Sequence, residues 1–103
     1  MVNMRSVDLF LGLPFNISSY ATLLKMVSQC CELKSGYLIM TLGNAHIYHN
    51  HFTQCETMLK NEPLPLPELL INSKVKEIDD FKFEDFELVN YKSHKFIHAP
   101  IAI

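Results

Sequence analysis

The sequence predicts a mixed α/β domain. Three observations point there. Apolar residues recur at helical spacing from Pro14 to about Leu33, polar and apolar residues alternate as in a strand from Ala45 to His51, and the stretch Glu62 to Pro67 carries too many prolines for a helix. The chain has 103 residues, 49% of them hydrophobic, with no internal repeat, so residues 1–103 read as one domain. A chain of this size buries roughly two thirds of the surface it exposes when unfolded, enough for a core without disulfides.

The first dozen residues read as a strand leading into a turn. Val2, Met4, Leu9, Phe10 and Leu11 are apolar, with Arg5, Ser6 and Asp8 embedded among them. Gly12-Leu13-Pro14 is a turn signal with a proline suited to a first helical turn. Ile17, Tyr20, Ala21, Leu24, Val27 and Cys31, widened by Leu23, Met26 and Cys30, make a broad apolar face, so this helix is expected to be largely buried. Gly36 is expected to take the left-handed cap conformation. Tyr37 to Met40 predicts a strand, bent or interrupted at Leu42-Gly43-Asn44 and resumed from Ala45 to His51. Phe52 to Asn61 predicts a short helix with Cys55, Met58 and Leu59 inward. Glu62 to Pro67 reads as a polyproline-like connector. Leu69 to Ile71 predicts a strand. Val75 to Phe86 predicts a helical turn anchored by Ile78, Phe81, Phe83 and Phe86. Glu87 to Tyr91 predicts a strand, and His94 to Ile103 an extended apolar tail.

Composition excludes several functions. Net charge is -2 and Arg5 is the one arginine, so no clustered cations stand ready for nucleic-acid phosphates. No apolar run approaches the about eighteen residues that span a bilayer, and the first residues are too polar for a signal peptide. Cys30, Cys31 and Cys55 are an odd set and read as reduced, buried thiols acting as small core hydrophobes, which places the chain in the cytoplasm.

The most informative polar cluster is Arg5, Ser6, Asp8 and Asn16, with His46 and Tyr48 on a later strand. Guanidinium and hydroxyl donors suit a phosphate. An asparagine amide can both donate to and accept from a pyrimidine edge. His46 and Tyr48 on one face could grip a sugar hydroxyl. The alternative is an Arg5–Asp8 ion pair with His46 and Tyr48 in the core. His46, His49 and His51 make a poor metal site, because a strand points His46 away from the other two and no suitable fourth ligand is near. Strand histidines that face solvent, or are satisfied locally, fit better.

The string Arg5-Ser6-Val7-Asp8-Leu9-Phe10-Leu11-Gly12-Leu13-Pro14-Phe15-Asn16 closely resembles thymidylate synthase. The likeness continues through Leu42-Gly43-Asn44-Ala45-His46-Ile47-Tyr48, Asn61-Glu62-Pro63-Leu64-Pro65, Phe83-Glu84-Asp85-Phe86 and Ala99-Pro100-Ile101-Ala102-Ile103. The resemblance implies a large twisted sheet with one long buried helix, a homodimer packed sheet to sheet, and reductive methylation of dUMP to dTMP by 5,10-methylenetetrahydrofolate. It implies that Arg5 and Ser6 bind the dUMP phosphate, Asn16 the uracil edge, and His46 and Tyr48 the deoxyribose 3'-hydroxyl. Asp8 would meet the pterin ring, Leu11, Gly12 and Phe15 would wall the folate site, and the Ile103 carboxylate would help close it.

Departures from the family pattern carry equal weight. The nucleophilic cysteine of a Pro-Cys-His motif, an upstream glutamate, a folate-site tryptophan and further phosphate-binding arginines have no counterpart in the chain. Asn44 stands where the family usually has Asp, Met4 where it has Gln, and Lys95 where Pro follows His94. The chain therefore reads as a C-terminal portion of the enzyme domain. It is expected to be inactive alone, oligomeric or poorly soluble, and partnered by a second copy or a separately encoded N-terminal half. A pyrimidine nucleotide hydroxymethylase relative is the weaker reading, since that chemistry would favour Asp over Asn16.

Overall fold

The structure is a computed structural model and describes residues 1–101. It is mixed α/β, with two helices and two small sheets. Strand β1, Val2–Asp8, pairs in parallel with β2, Met40–His46, in register from Val2↔Met40 to Asp8↔His46. Parallel strands need a long crossover, and helix α1, Leu13–Cys30, supplies it. A 3-10 turn at His49–His51 runs into α2, Phe52–Leu59. Strand β3, Glu68–Ile71, pairs antiparallel with β4, Phe86–Val89, and two further 3-10 turns, Ile78–Asp80 and Phe83–Asp85, lie between them.

Pro14 falls in the first turn of α1, as its fixed φ favours. The helix stops at Cys30 rather than Leu33. The Glu32 N–H reaches the Gln29 carbonyl at 3.1 Å and the Leu33 N–H reaches Ser28 at 2.8 Å, with Glu32 at φ 53. That is a Schellman closure, with Glu32 in the left-handed position expected of Gly36. Gly36 has no positive φ.

The expected burial of the long helix does not hold. Ser28 is its one buried residue among those described, while Phe15 is 75% exposed and Ile17, Leu23 and Val27 are also exposed. Val7, 3% exposed, is the one buried hydrophobic residue among those described. The chain exposes 8468 Å², against roughly 6000 Å² expected for a compact monomer of 11.9 kDa. Its radius of gyration is 16.1 Å, against about 13 Å for a compact domain of this length. The apolar face of α1 is real in the sequence, but the described residues cover it only in part: Tyr20, Ala21, Leu24 and Met26 are half-buried, and Ile17, Leu23 and Val27 stay exposed.

Other expectations shift. Gly43 does not interrupt β2. A Cβ there would stand 2.9 Å from the Arg5 carbonyl oxygen and 3.2 Å from that of Met4, so the glycine lets two backbones lie close within a continuous strand. Residues 37–39 are not strand, and the strand ends at His46 instead of His51. Met58 and Leu59 of α2 are exposed and Cys55 is half-buried. Phe83, expected as an anchor, is 88% exposed. Cys31 is exposed and Cys30 half-buried, so the thiols are free but not core residues. The large twisted sheet is absent among the described residues; two two-stranded sheets stand in its place.

Polar contacts join the parts. Lys25 Nζ donates to the Leu69 carbonyl at 2.6 Å, and Gln29 Nε2 donates to Asn72 and Val75 carbonyls at 2.9 and 2.8 Å. These fix β3 against α1. The C-terminal segment folds back along α2 and the proline connector. Gln54 Nε2 donates to the His98 carbonyl, His51 Nε2 to that of Pro100, and His94 Nε2 to that of Glu62.

Candidate functional site

The C-terminal ends of β1 and β2 gather most of the residues singled out in the sequence. Asp8 and His46 are register partners, and the Leu9 N–H extends the ladder by reaching the His46 carbonyl at 2.9 Å. The Asp8 carboxylate accepts the Phe10 N–H at 3.0 Å, an Asx turn that bends the chain off the strand. The Gly12 N–H then reaches the Asp8 carbonyl at 3.2 Å and the Gly12 carbonyl accepts the Asn16 N–H at 3.1 Å. Gly12 is wedged. A Cβ there would stand 3.0 Å from the Asp8 carbonyl oxygen, 3.4 Å from the Asp8 Cβ and 3.7 Å from Asn16 Oδ1. Asp8, Gly12 and Asn16 thus form one tight corner between β1 and α1.

His46 and Tyr48 come together, although not by strand alternation. Their rings meet edge to face with centroids 5.0 Å apart, Tyr48 lying in extended backbone just beyond β2. His46 Nδ1 is 3.1 Å from the Asn44 carbonyl, which can only accept, so Nδ1 carries the proton and Nε2 is left as an acceptor. Asn44 thereby sets the histidine tautomer through its backbone.

Arg5 and Ser6 are both exposed on β1. Alternation puts them on opposite faces, Arg5 with Val7 and Ser6 with Asp8. The Asp8 carboxylate is engaged by a backbone N–H, which is not the Arg5–Asp8 ion pair considered as an alternative. Leu11 lines a cleft of about 580 Å³ together with Phe10, Pro14, Met58, Tyr91 and Ile97. Phe15 stands outside that cleft on the first turn of α1. Ile103 lies outside the described residues. No group of three metal-binding side chains occurs among the described residues, and no helix among them is long and apolar enough to cross a membrane.

A family model described as thymidylate synthase matches residues 1–103. The chain belongs to the thymidylate synthase family. That family binds dUMP and uses methylenetetrahydrofolate. In this member of the family the corner at Asp8, Gly12 and Asn16 and the His46–Tyr48 pair occupy one end of the parallel sheet.

Sequence reading missed His51. Alternation places it among strand histidines facing solvent or satisfied locally, yet its side chain is fully enclosed, and it belongs to a 3-10 turn. Its ring lies 5.9 Å from Tyr48 and 5.5 Å from Phe10 between centroids. The available signal was the pair of aromatic residues at positions 10 and 48 flanking two turns of chain.

Proposed function

We propose that this chain is the C-terminal part of a thymidylate synthase domain and supplies the nucleotide contacts and part of the folate wall for reductive methylation of dUMP to dTMP. The cluster at the ends of β1 and β2 carries the reading. Asn16 would meet N3 and O4 of the uracil. An amide suits uracil, where a cytosine edge would call for an aspartate. The His46 Nε2 lone pair and the Tyr48 hydroxyl would hold the 3'-hydroxyl. Asp8 would meet the pterin ring, with Leu11, Gly12 and Phe15 as walls and the Ile103 carboxylate closing the site. Arg5 and Ser6 would hold phosphate. Their placement on opposite faces of β1 means that Ser6 would serve this chain's own site and Arg5 either the same phosphate, by reaching around the strand edge, or that of a second copy.

The family reaction needs a cysteine thiolate to add to C6 of dUMP and so make C5 nucleophilic. None of Cys30, Cys31 and Cys55 lies in a Pro-Cys-His motif. The nucleophile would therefore come from a segment outside residues 1–103, in the same polypeptide or as a complementing half. The surface excess and the partly uncovered face of α1 favour such a partner, within a cytoplasmic homodimeric enzyme.

Release of tritium from [5-³H]dUMP with methylenetetrahydrofolate tests this. The chain alone is expected to release none, and to gain activity when co-expressed with a segment carrying Pro-Cys-His. Turnover by the chain alone would refute the assignment of the nucleophile. Failure of uridylate to perturb Asn16, His46 and Tyr48 resonances in the complemented protein would refute the site.

A further inference from the structure

We propose that His51 is a positioning residue that seats the C-terminal tail, through Pro100, on the candidate site. Only the consequence for catalysis rests on the function proposed above; the seating stands on the geometry. His51 is 0% exposed, and its backbone N–H is fixed to the Tyr48 carbonyl at 2.9 Å. Its Nε2 lies 2.7 Å from the Pro100 carbonyl oxygen. A carbonyl only accepts, so Nε2 carries the proton and donates. Pro100 has no N–H, which leaves that carbonyl as its one backbone handle. The ring faces Phe10, from the loop between Asp8 and Gly12, and Tyr48, from the proposed sugar pair. One side chain therefore joins the β1–α1 corner, the end of β2, the start of α2 and the tail.

The neighbouring tethers are weaker. The Gln54–His98 and His94–Glu62 bonds are solvent-exposed, at 3.3 and 2.8 Å, so water competes for them. His51 Nδ1 is buried and has no partner among the described residues. That unpaired nitrogen offsets part of the gain from the Pro100 bond. Seating the tail beside the Tyr48 ring is how His51 would act on the proposed nucleotide site.

The test compares the whole chain with His51→Leu and His51→Gln, using carboxypeptidase Y, which needs several free residues to trim a tail. Leucine keeps bulk and loses the donor. Glutamine returns an N–H near the Nε2 position. Trimming is expected to speed up about tenfold in His51→Leu and to return most of the way in His51→Gln, at matched unfolding midpoints. Equal rates in wild type and His51→Leu, or no rescue by glutamine, would overturn the proposal. If neither variant folds, ¹⁵N spectra of the wild-type ring decide it. A protonated Nε2 with a pyridine-like Nδ1 supports the seat, and the opposite tautomer refutes it. Neither readout uses nucleotide or folate, so normal seating with no uridylate binding would sink only the functional reading.

Discussion

The parallel pair β1/β2 buries Val7 and abuts an aromatic run from His46 through Tyr48 and His51 to Phe10, whereas the antiparallel pair β3/β4 leaves Leu70 and Leu88 exposed and is held by polar tethers. At the first, close backbone approach and a buried ring set positions tightly. At the second, Asn72, Asp85, Lys82 and Lys25 hold the strands through bonds that water can contest. The candidate site lies at the first. A site needs its groups held within tenths of an ångström, and packing against backbone does that better than exposed hydrogen bonds. The second pair reads as surface awaiting cover.

The largest effect is expected at Val7. Val7→Asp puts a carboxylate into the one buried apolar position of β1 and should destabilise the chain by about 4 kcal/mol or more. Loss of the cooperative transition in urea checks it. A variant that unfolds with the wild-type midpoint would erase the distinction between the two pairs.

Gly43→Ala comes next. The added methyl carbon would stand 2.9 Å from the Arg5 carbonyl oxygen, and backbone cannot rotate away as a side chain can. The expected cost is about 2 kcal/mol, read by denaturant midpoint, with the loosening concentrated in β1 and β2 amide exchange. Loosening confined to β3 and β4 would contradict the geometry.

Lys25→Met probes the other pair. It removes the 2.6 Å bond to the Leu69 carbonyl while keeping an unbranched stem one atom shorter. A half-buried bond of this kind is worth about 1 kcal/mol, so amide exchange through Leu69–Ile71 should quicken about fivefold. Exchange in β1 should not change. Equal quickening in both pairs would show that they open as one unit.

These contrasts mark where the sequence was legible. Strand β1, helices α1 and α2, the proline connector and β3 follow from periodicity, proline and turn chemistry, all local in sequence. The turn at Gly12-Leu13-Pro14 was legible for the same reason, but the closing of Asp8 and Asn16 on Gly12 across it was not, because it rests on backbone contacts that the residue types alone do not show. Burial of α1 was not legible. An apolar stripe shows that a helix face prefers cover but not whether the same chain supplies it. Gly43 misled because a strand glycine signals either a bend or a close approach, and only the neighbouring strand decides which. His51 misled because its enclosure comes with contacts to Phe10 and Pro100, both far along the chain.

The smallest effect is electrostatic and belongs to β3/β4. The Asn72 side-chain amide donates to Asp85 at 2.7 Å and the Lys82 N–H donates to it at 2.8 Å. These bonds hold the Asp85 carboxyl below its ordinary value of 3.8, the Asn72 contribution being the larger. A carboxyl depressed in the folded state stabilises it above the unfolded value, and that contribution is lost as pH falls through the folded value. The β4 strand should therefore loosen only below about pH 3.8, and β1/β2 should show no matching step. Asn72→Ala removes the larger donor, so the Asp85 titration, followed by carboxyl ¹³C shift, should move up toward 3.8 and the loosening of Phe86–Val89 should move with it. An unchanged titration in Asn72→Ala would mean that the Lys82 backbone bond alone sets the carboxyl, and that the hairpin base depends on β4 geometry rather than on the Asn72 side chain.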